Sequence, residues 1–179
     1  MGTKTLLTFE EFERLPDRPG KRELLKGELI ELPPPEINHD RIARRVYKSL
    51  DAALDTAHEH GEAMQLSEVC ISSGYRLSDG WVVPDVSVAH AGQPETKYLE
   101  GAPAIAIEVV SPGKSAENLD TKTSLYFEFG AIEVWRIYPK TRHIDVHVPG
   151  AVRVFGIHDA VTTPLLPGFA MPVKEILVE

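Results

Sequence analysis

The chain contains one cysteine, Cys70. A lone thiol excludes an intramolecular disulfide framework and any cysteine-rich zinc site. Cys70 stands among apolar neighbours in Leu66–Ile71, a setting that predicts a buried thiol on a strand. No apolar run reaches the roughly 18 residues that a membrane-spanning helix needs. Met1–Leu15 scatters three glutamates among its apolar residues, unlike a secretory leader. The expectation is a cytoplasmic protein that does not engage a membrane. There is no glycine-rich phosphate loop, so no nucleotide cofactor is expected. Ser111 lacks a nucleophile-elbow context, which disfavours serine hydrolysis. Basic residues are in deficit, with 19 Lys plus Arg against 27 Asp plus Glu and a net charge of −8. That balance argues against a tight nonspecific nucleic-acid binder, which relies on neutralising phosphates. It does not exclude a nuclease, because bound cations change a carboxylate-rich site.

What the sequence does have is an ordinary globular composition, 42% hydrophobic and 26% charged over 179 residues. This length predicts one domain, residues 1–179. Thr8 with Glu11 forms a capping box before a short helix that ends near Pro16. Glu23–Leu32 reads as two antiparallel strands turning at Lys26-Gly27, and Pro33–Pro35 breaks regular structure. Asn38 is expected to cap a helix from His39 to His60, with Ile42, Val46, Leu50 and Ala57 on its inner face and Gly61 as its stop. Its outer face carries Arg41, Arg44, Arg45 and Lys48: either a solvated surface or a patch that attracts phosphates.

Gln65–Ser72 and Asp85–Ala89 read as strands, and His90–Gly101 as a loop. Ala104–Val110 is apolar on both faces except at Glu108, which places it in the middle of a covered sheet. A carboxylate there is costly unless it binds metal, pairs with a cation or titrates. Ser115 can cap a helix running to Phe129, with Lys122 sharing its inward face with Leu119 and Tyr126. Glu133–Tyr138, His143–Val148 and Val152–Ile157 follow as strands, and Pro172–Val178 as a final short helix or strand. Trp135, Tyr126 and Phe129 are expected in the core. His143 and His147 would share one strand face at the surface.

Asp85, Glu108 and Lys122 are the residues with chemistry to offer. Two converging carboxylates can hold a divalent cation, and a lysine beside them can orient water or offset charge on a phosphate. By spacing alone a buried Glu–Lys pair can equally be structural.

Several segments, in order, resemble the Uma2 family, restriction-endonuclease-like proteins of the PD-(D/E)XK nuclease superfamily. They are TFEEF at Thr8–Phe12, RELLKGELIELPPP at Arg22–Pro35 with His39 just beyond, and PDVSV at Pro84–Val88. The long stretch Glu108–Trp135 and LLPGF at Leu165–Phe169 complete the series. The resemblance implies an α/β (α+β) restriction-endonuclease-like fold: a central mixed β-sheet flanked by helices, with additional antiparallel strands.

It also implies a catalytic set of Glu23, Asp85, Glu108 and Lys122, with Asp85, Glu108 and Glu23 as metal ligands. Lys122 stands in for a lysine that the superfamily usually carries two residues after the second carboxylate, where this chain has Val110. Tyr138 stands where the family often has Asp. His39 could touch a substrate phosphate or could cap and pack; Arg41, Arg45 and Lys48 would meet the substrate; Lys114 and Asp120 could support the site or form a solvated face. The implied activity is Mg²⁺-dependent (or Mn²⁺-dependent) hydrolysis of DNA, by a protein that could work as a homodimer. The alternative is an inactive nuclease-fold protein that binds nucleic acid or a protein partner.

Overall fold

The structure, a computed structural model, describes residues 6–111 and 115–178. Helix α1 (Phe9–Glu13) opens with the expected capping box: the Glu11 N–H donates to Thr8 Oγ1 and the Thr8 N–H to Glu11 Oε2. Strands β1 (Lys21–Leu25) and β2 (Glu28–Leu32) form the hairpin. Lys26 and Gly27 both take left-handed backbone, with φ of +51° and +83°, as a tight two-residue turn between twisted strands requires.

Helix α2 spans Ile37–Glu59 and starts two residues earlier than expected. Its cap is Glu36, which makes no side-chain capping bond, so Asn38 lies inside the first turn. The helix begins as soon as the proline run ends, and Asp40 in that first turn complements the helix dipole. Gly61, at φ +72°, provides the stop.

Strands β3 (Leu66–Ile71), β4 (Tyr75–Leu77), β5 (Gly80–Val82), β6 (Val86–His90), β7 (Leu99–Glu100) and β8 (Ile105–Val109) follow. Helix α3 (Ala116–Glu128) is capped by Ser115 Oγ, which accepts from the Asn118 N–H. Then come β9 (Glu133–Tyr138), β10 (His143–Val148), β11 (Ala151–Gly156), β12 (Ala160–Val161), β13 (Met171–Pro172) and the single-turn helix α4 (Val173–Ile176). The stretch expected as loop up to Gly101 thus contains one short strand, β7, paired parallel with β4.

Six strands form the main sheet in the order β11-β10-β9-β8-β6-β3. The β8–β9 pair is parallel and the other pairs are antiparallel. Five strands form a second sheet, β2-β1-β5-β4-β7. All five residues of β8 are buried, as its two-sided apolar pattern requires. Alternation sends Ile105, Ile107 and Val109 into one core with Ile42, Val46 and Leu50 of α2. It sends Ala106 into the other core, with Leu125 and Tyr126 of α3 and Leu25, Tyr75 and Val82 of the smaller sheet. Each fully buried aliphatic side chain contributes roughly 1.5–3 kcal/mol, and Trp135 is fully buried as expected. Glu108 projects on the α3 side of the main sheet, and this places it opposite Lys122.

Two packing expectations need correction. Cys70 is half-buried, because β3 is an edge strand of the main sheet and leaves one side open. Burial, with a smaller push from Glu68, raises its thiol pKa above the ordinary value. Phe129 is only partly buried, because it sits at the C-cap of α3, where the helix leaves the core.

Among the described residues, no helix is long and apolar enough to cross a membrane.

Candidate active site

Four elements bring the polar cluster together. Strand β1 carries Glu23, the segment after β5 carries Asp85, β8 carries Glu108 and α3 carries Lys122. All four are buried, with between 1% and 4% of each residue exposed.

The Lys122 ammonium lies 2.7 Å from Glu23 Oε1 and 2.5 Å from Glu108 Oε1. Glu23 Oε1 also accepts the backbone N–H of Val83 at 2.9 Å. Glu108 Oε1 accepts the hydroxyl of Tyr126 at 2.9 Å. Tyr126 is one helical turn beyond Lys122, so both reach the same strand. Burial foremost, and then the Glu108 carboxylate, push the Tyr126 phenol well above its usual pKa of 10. Tyr126 is therefore a fixed donor to Glu108.

Asp85 occupies the mouth of the cluster. Its Oδ2 accepts the backbone N–H of Val109 at 2.8 Å, which fixes the carboxylate beside the residue that follows Glu108. Lys21 Nζ lies 2.6 Å from Asp85 Oδ1 and also donates to the Val83 carbonyl at 2.8 Å. His39 Nε2 stands 3.1 Å from Asp85 Oδ2 and must be the donor, because a carboxylate only accepts. Its Nδ1 is buried without a hydrogen-bond partner, with Asp40 Oδ1 3.7 Å away.

A cavity of about 1130 Å³ opens onto this mouth. Lys21, His39, Asp85 and Ser111 line it, whereas Glu23, Glu108 and Lys122 stand deeper in the protein.

The sequence reading missed Lys21. Its signal was available: in a strand, residues two apart share a face, so an inward Glu23 brings Lys21 with it. Tyr126 was read as core alone, and the structure adds its hydroxyl to the cluster.

The candidate substrate contacts divide. His39 joins the cluster. Arg41 and Lys48 are exposed on α2. Arg45 is half-buried, and its guanidinium donates to the carbonyls of Ile176 and Val178 at 3.0 Å each. Asp120 faces solvent and pairs with the buried Arg136 at 2.8 Å rather than with the cluster. Lys114 lies outside the described residues, as do Pro112 and Gly113. Tyr138 stacks on the ring of His143 at 4.5 Å, a packing role. His143 and His147 share a strand face, and both are half-buried.

The oxygen donors suit a hard divalent cation such as Mg²⁺ or Mn²⁺. Among the described residues, no three acidic, histidine or cysteine side chains form a ready-made metal cage. The fit is therefore that of Asp85 and Glu108 as a pair of carboxylates, with Glu23 held apart by Lys122.

Comparison with known proteins now adds to the geometry. A family profile, Uma2, described as "Putative restriction endonuclease", matches residues 9–174. The chain belongs to the Uma2 family. A solved structure from Anabaena variabilis ATCC 29413, described as "a putative nuclease belonging to DUF820", superimposes with a TM-score of 0.81. It is 21% identical, and the match covers 96% of this chain and 97% of that one. At that identity the likeness concerns the fold, and it agrees with the mixed sheets flanked by helices expected of an Uma2 protein. A search among curated proteins found no match.

Proposed function

We propose that this Uma2 protein is a cytoplasmic, metal-dependent endonuclease that hydrolyses DNA phosphodiester bonds. One observation carries the reading: a buried lysine shared between Glu23 and Glu108, next to an Asp85 carboxylate held by the Val109 N–H. Burying three carboxylates and one ammonium group, with Lys21 half-buried beside them, is expensive, and hydrophobic residues could fill the same space at less cost. The arrangement suits chemistry on a charged substrate better than it suits packing.

In this reading Mg²⁺ or Mn²⁺ would be held by Asp85 and Glu108, with Glu23 contributing from behind. When bound, the ion polarises the phosphate and makes a coordinated water more acidic. Lys122 orients the attacking water and offsets the negative charge that builds on the phosphate oxygens. Tyr126 and Lys122 fix Glu108 so that it does not reorganise during the reaction. His39 holds Asp85 through Nε2. Arg41 and Lys48 supply phosphate contacts on the approach, as cations in an otherwise acidic protein.

A second reading is favoured by one observation. Lys21 already neutralises Asp85 at the cavity mouth, which suits a chain that kept the fold and binds without cutting.

Cleavage of supercoiled plasmid, linear duplex, single-stranded DNA and RNA separates the two readings. Wild type is compared with Asp85→Asn and Lys122→Ala in Mg²⁺, Mn²⁺ and EDTA. The endonuclease reading expects metal-dependent cutting that falls at least about 100-fold in each variant, the scale of losing one transition-state donor. Folded wild type that binds DNA without cutting it in any condition would establish the second reading.

A further inference from the structure

The cavity that reaches Asp85 has a second wall with a different character. Phe9 and Phe12 of α1, Trp81 of β5 and Tyr98 form an aromatic group along it. Phe9 is buried and serves as its base, with the Arg76 guanidinium 4.3 Å from its ring centre. Phe12, Trp81 and Tyr98 are each only half-buried and line the cavity.

Two of these rings are held in place. Tyr98 meets Trp81 edge-on at 4.7 Å, and its hydroxyl donates to Glu13 at 2.7 Å. Trp81 lies against Gly74 so closely that a Cβ there would fall 1.9 Å from the ring. A glycine that leaves room for an indole is a built seat.

Position along the chain ties this wall to the cluster. Trp81 and Val83 line the cavity while Val82 between them is buried, and Asp85 comes two residues further on. Four residues of extended chain span at most about 13–14 Å. The lining also carries cations: Arg44 borders both this cavity and the adjoining hollow lined by Arg41 and Lys48. Of the acidic lining residues besides Asp85, Glu13 is paired with Lys97 at 2.7 Å, Asp17 lies 3.9 Å from Arg22 and Asp40 3.7 Å from His39, and Glu36 also borders the cavity.

Fixed aromatic faces, guanidinium and ammonium groups and the Asp85 carboxylate in one cavity lining are the parts of a single-strand binding groove. Such grooves stack bases on aromatic rings and track the backbone with cations. A base within an intact duplex offers no free face to stack on, so the aromatic wall selects nucleotides that are unpaired or extruded. We propose that this chain takes a single-stranded polynucleotide segment across the cavity, with an unpaired base stacked on the Trp81–Phe12 wall and its phosphates led past Asp85 to Arg44. The inference rests on the reading that the cluster acts on phosphodiesters, and it names the form of substrate.

Trp81 is its own reporter. The chain has two tryptophans, and the other, Trp135, is fully buried. Wild-type protein in EDTA is titrated with oligo(dT), oligo(U) and a duplex of equal length. Intrinsic fluorescence and the anisotropy of labelled strands are both followed. The expected result is quenching by a single strand, with at least tenfold tighter binding than to the duplex. Trp81→Leu and Phe12→Leu should each weaken single-strand binding about tenfold while leaving the circular dichroism spectrum unchanged. The second variant covers the case in which the first fails to fold. Oligo(dU) against oligo(U), which differ only in the 2′-hydroxyl, identifies the sugar by the tighter binding. Unquenched emission together with equal or tighter duplex binding overturns the inference. The two proposals fail separately. Lys122-dependent duplex cutting without quenching removes this one alone, and quenching without cutting by wild type removes the endonuclease reading alone.

Discussion

Lys122 on α3 and Glu108 on β8 are joined by an ion pair of 2.5 Å whose partners expose 5% and 1% of their side chains. Glu23 completes the group from 99 residues away in sequence. Removing the ammonium strands two carboxylates in the interior. Lys122→Met is therefore expected to lower unfolding free energy by about 3–5 kcal/mol. Adding Glu23→Gln to Lys122→Met should restore part of that loss, because one stranded charge disappears. Urea denaturation of the two single variants and the double variant measures the coupling. A double variant with strictly additive losses would show that the lysine does not balance Glu23.

Tyr126→Phe deletes one hydrogen bond to Glu108 and leaves the ring in place. The carboxylate loses a neutral donor but keeps Lys122. The expected loss is about 1–2 kcal/mol. Because burial and Glu108 hold the Tyr126 phenol well above its ordinary pKa, the donor stays protonated. The difference between wild type and variant should thus be the same at pH 6 and pH 9. A difference that shrinks toward pH 9 would mean that the phenol titrates there.

In the proposed reading Lys21 and a divalent cation would compete for the Asp85 carboxylate. Calorimetric titration with Mn²⁺ should show affinity rising by about three- to tenfold in Lys21→Ala, the size of a lost repulsion of roughly 1 kcal/mol. The same experiment on Asp85→Asn should show metal binding abolished. Unchanged affinity in Lys21→Ala would place the ion away from Asp85 Oδ1.

The cations of α2 should not behave alike. Arg45 is committed to the carbonyls of Ile176 and Val178, so Arg45→Ala is expected to cost about 1–3 kcal/mol of stability and leave DNA affinity unchanged. Arg41→Ala and Lys48→Ala should do the reverse. Each should reduce the salt dependence of DNA binding by about one phosphate contact. Thermal melts and binding isotherms at several salt concentrations separate the two classes.

His147 gives the fold a small pH dependence. Burial, with a further push from the Arg136 cation, lowers its pKa below the usual 6.5. The unfolded chain therefore takes up the proton more readily than the folded one. Stability is full above pH 6.5 and declines as pH falls through the lowered folded-state value. Because the ring is half-exposed, the effect should stay below about 1 kcal/mol. His147→Gln should flatten that part of the curve between pH 7 and pH 5, and an unaltered slope would assign the dependence to other groups.

Much of this arrangement could be read from residue order. The two-sided apolar pattern of Ile105–Val109 announced a central strand, and Glu108 stood out because it interrupts that pattern. The inward Lys122 followed from helical spacing, and the hairpin from Lys26-Gly27. What could not be read was pairing across the sheets. Nothing local says that Lys21 reaches Asp85, that Arg45 caps the end of the chain, or that Arg136 is neutralised by Asp120 rather than by Glu108 beside it in register. Cys70 was misjudged for the same reason: its neighbours are apolar, but strand order places it on an edge. Helix α2 shows the limit of capping rules, since a proline run fixed its start where an asparagine was expected to.

The hairpin that carries Lys21 and Glu23 contributes its side chains to a group whose other members arrive up to about a hundred positions later in the chain. Contacts of such separation form late, after the entropy of closing a long loop has been overcome. No form of this protein that lacks the first strand or the third helix can hold the finished cluster, because both must be docked. Any hydrolytic potential of this chain thus depends on both elements being in place. A proteolytic cut or a local opening that releases the hairpin would dismantle the cluster just as completely.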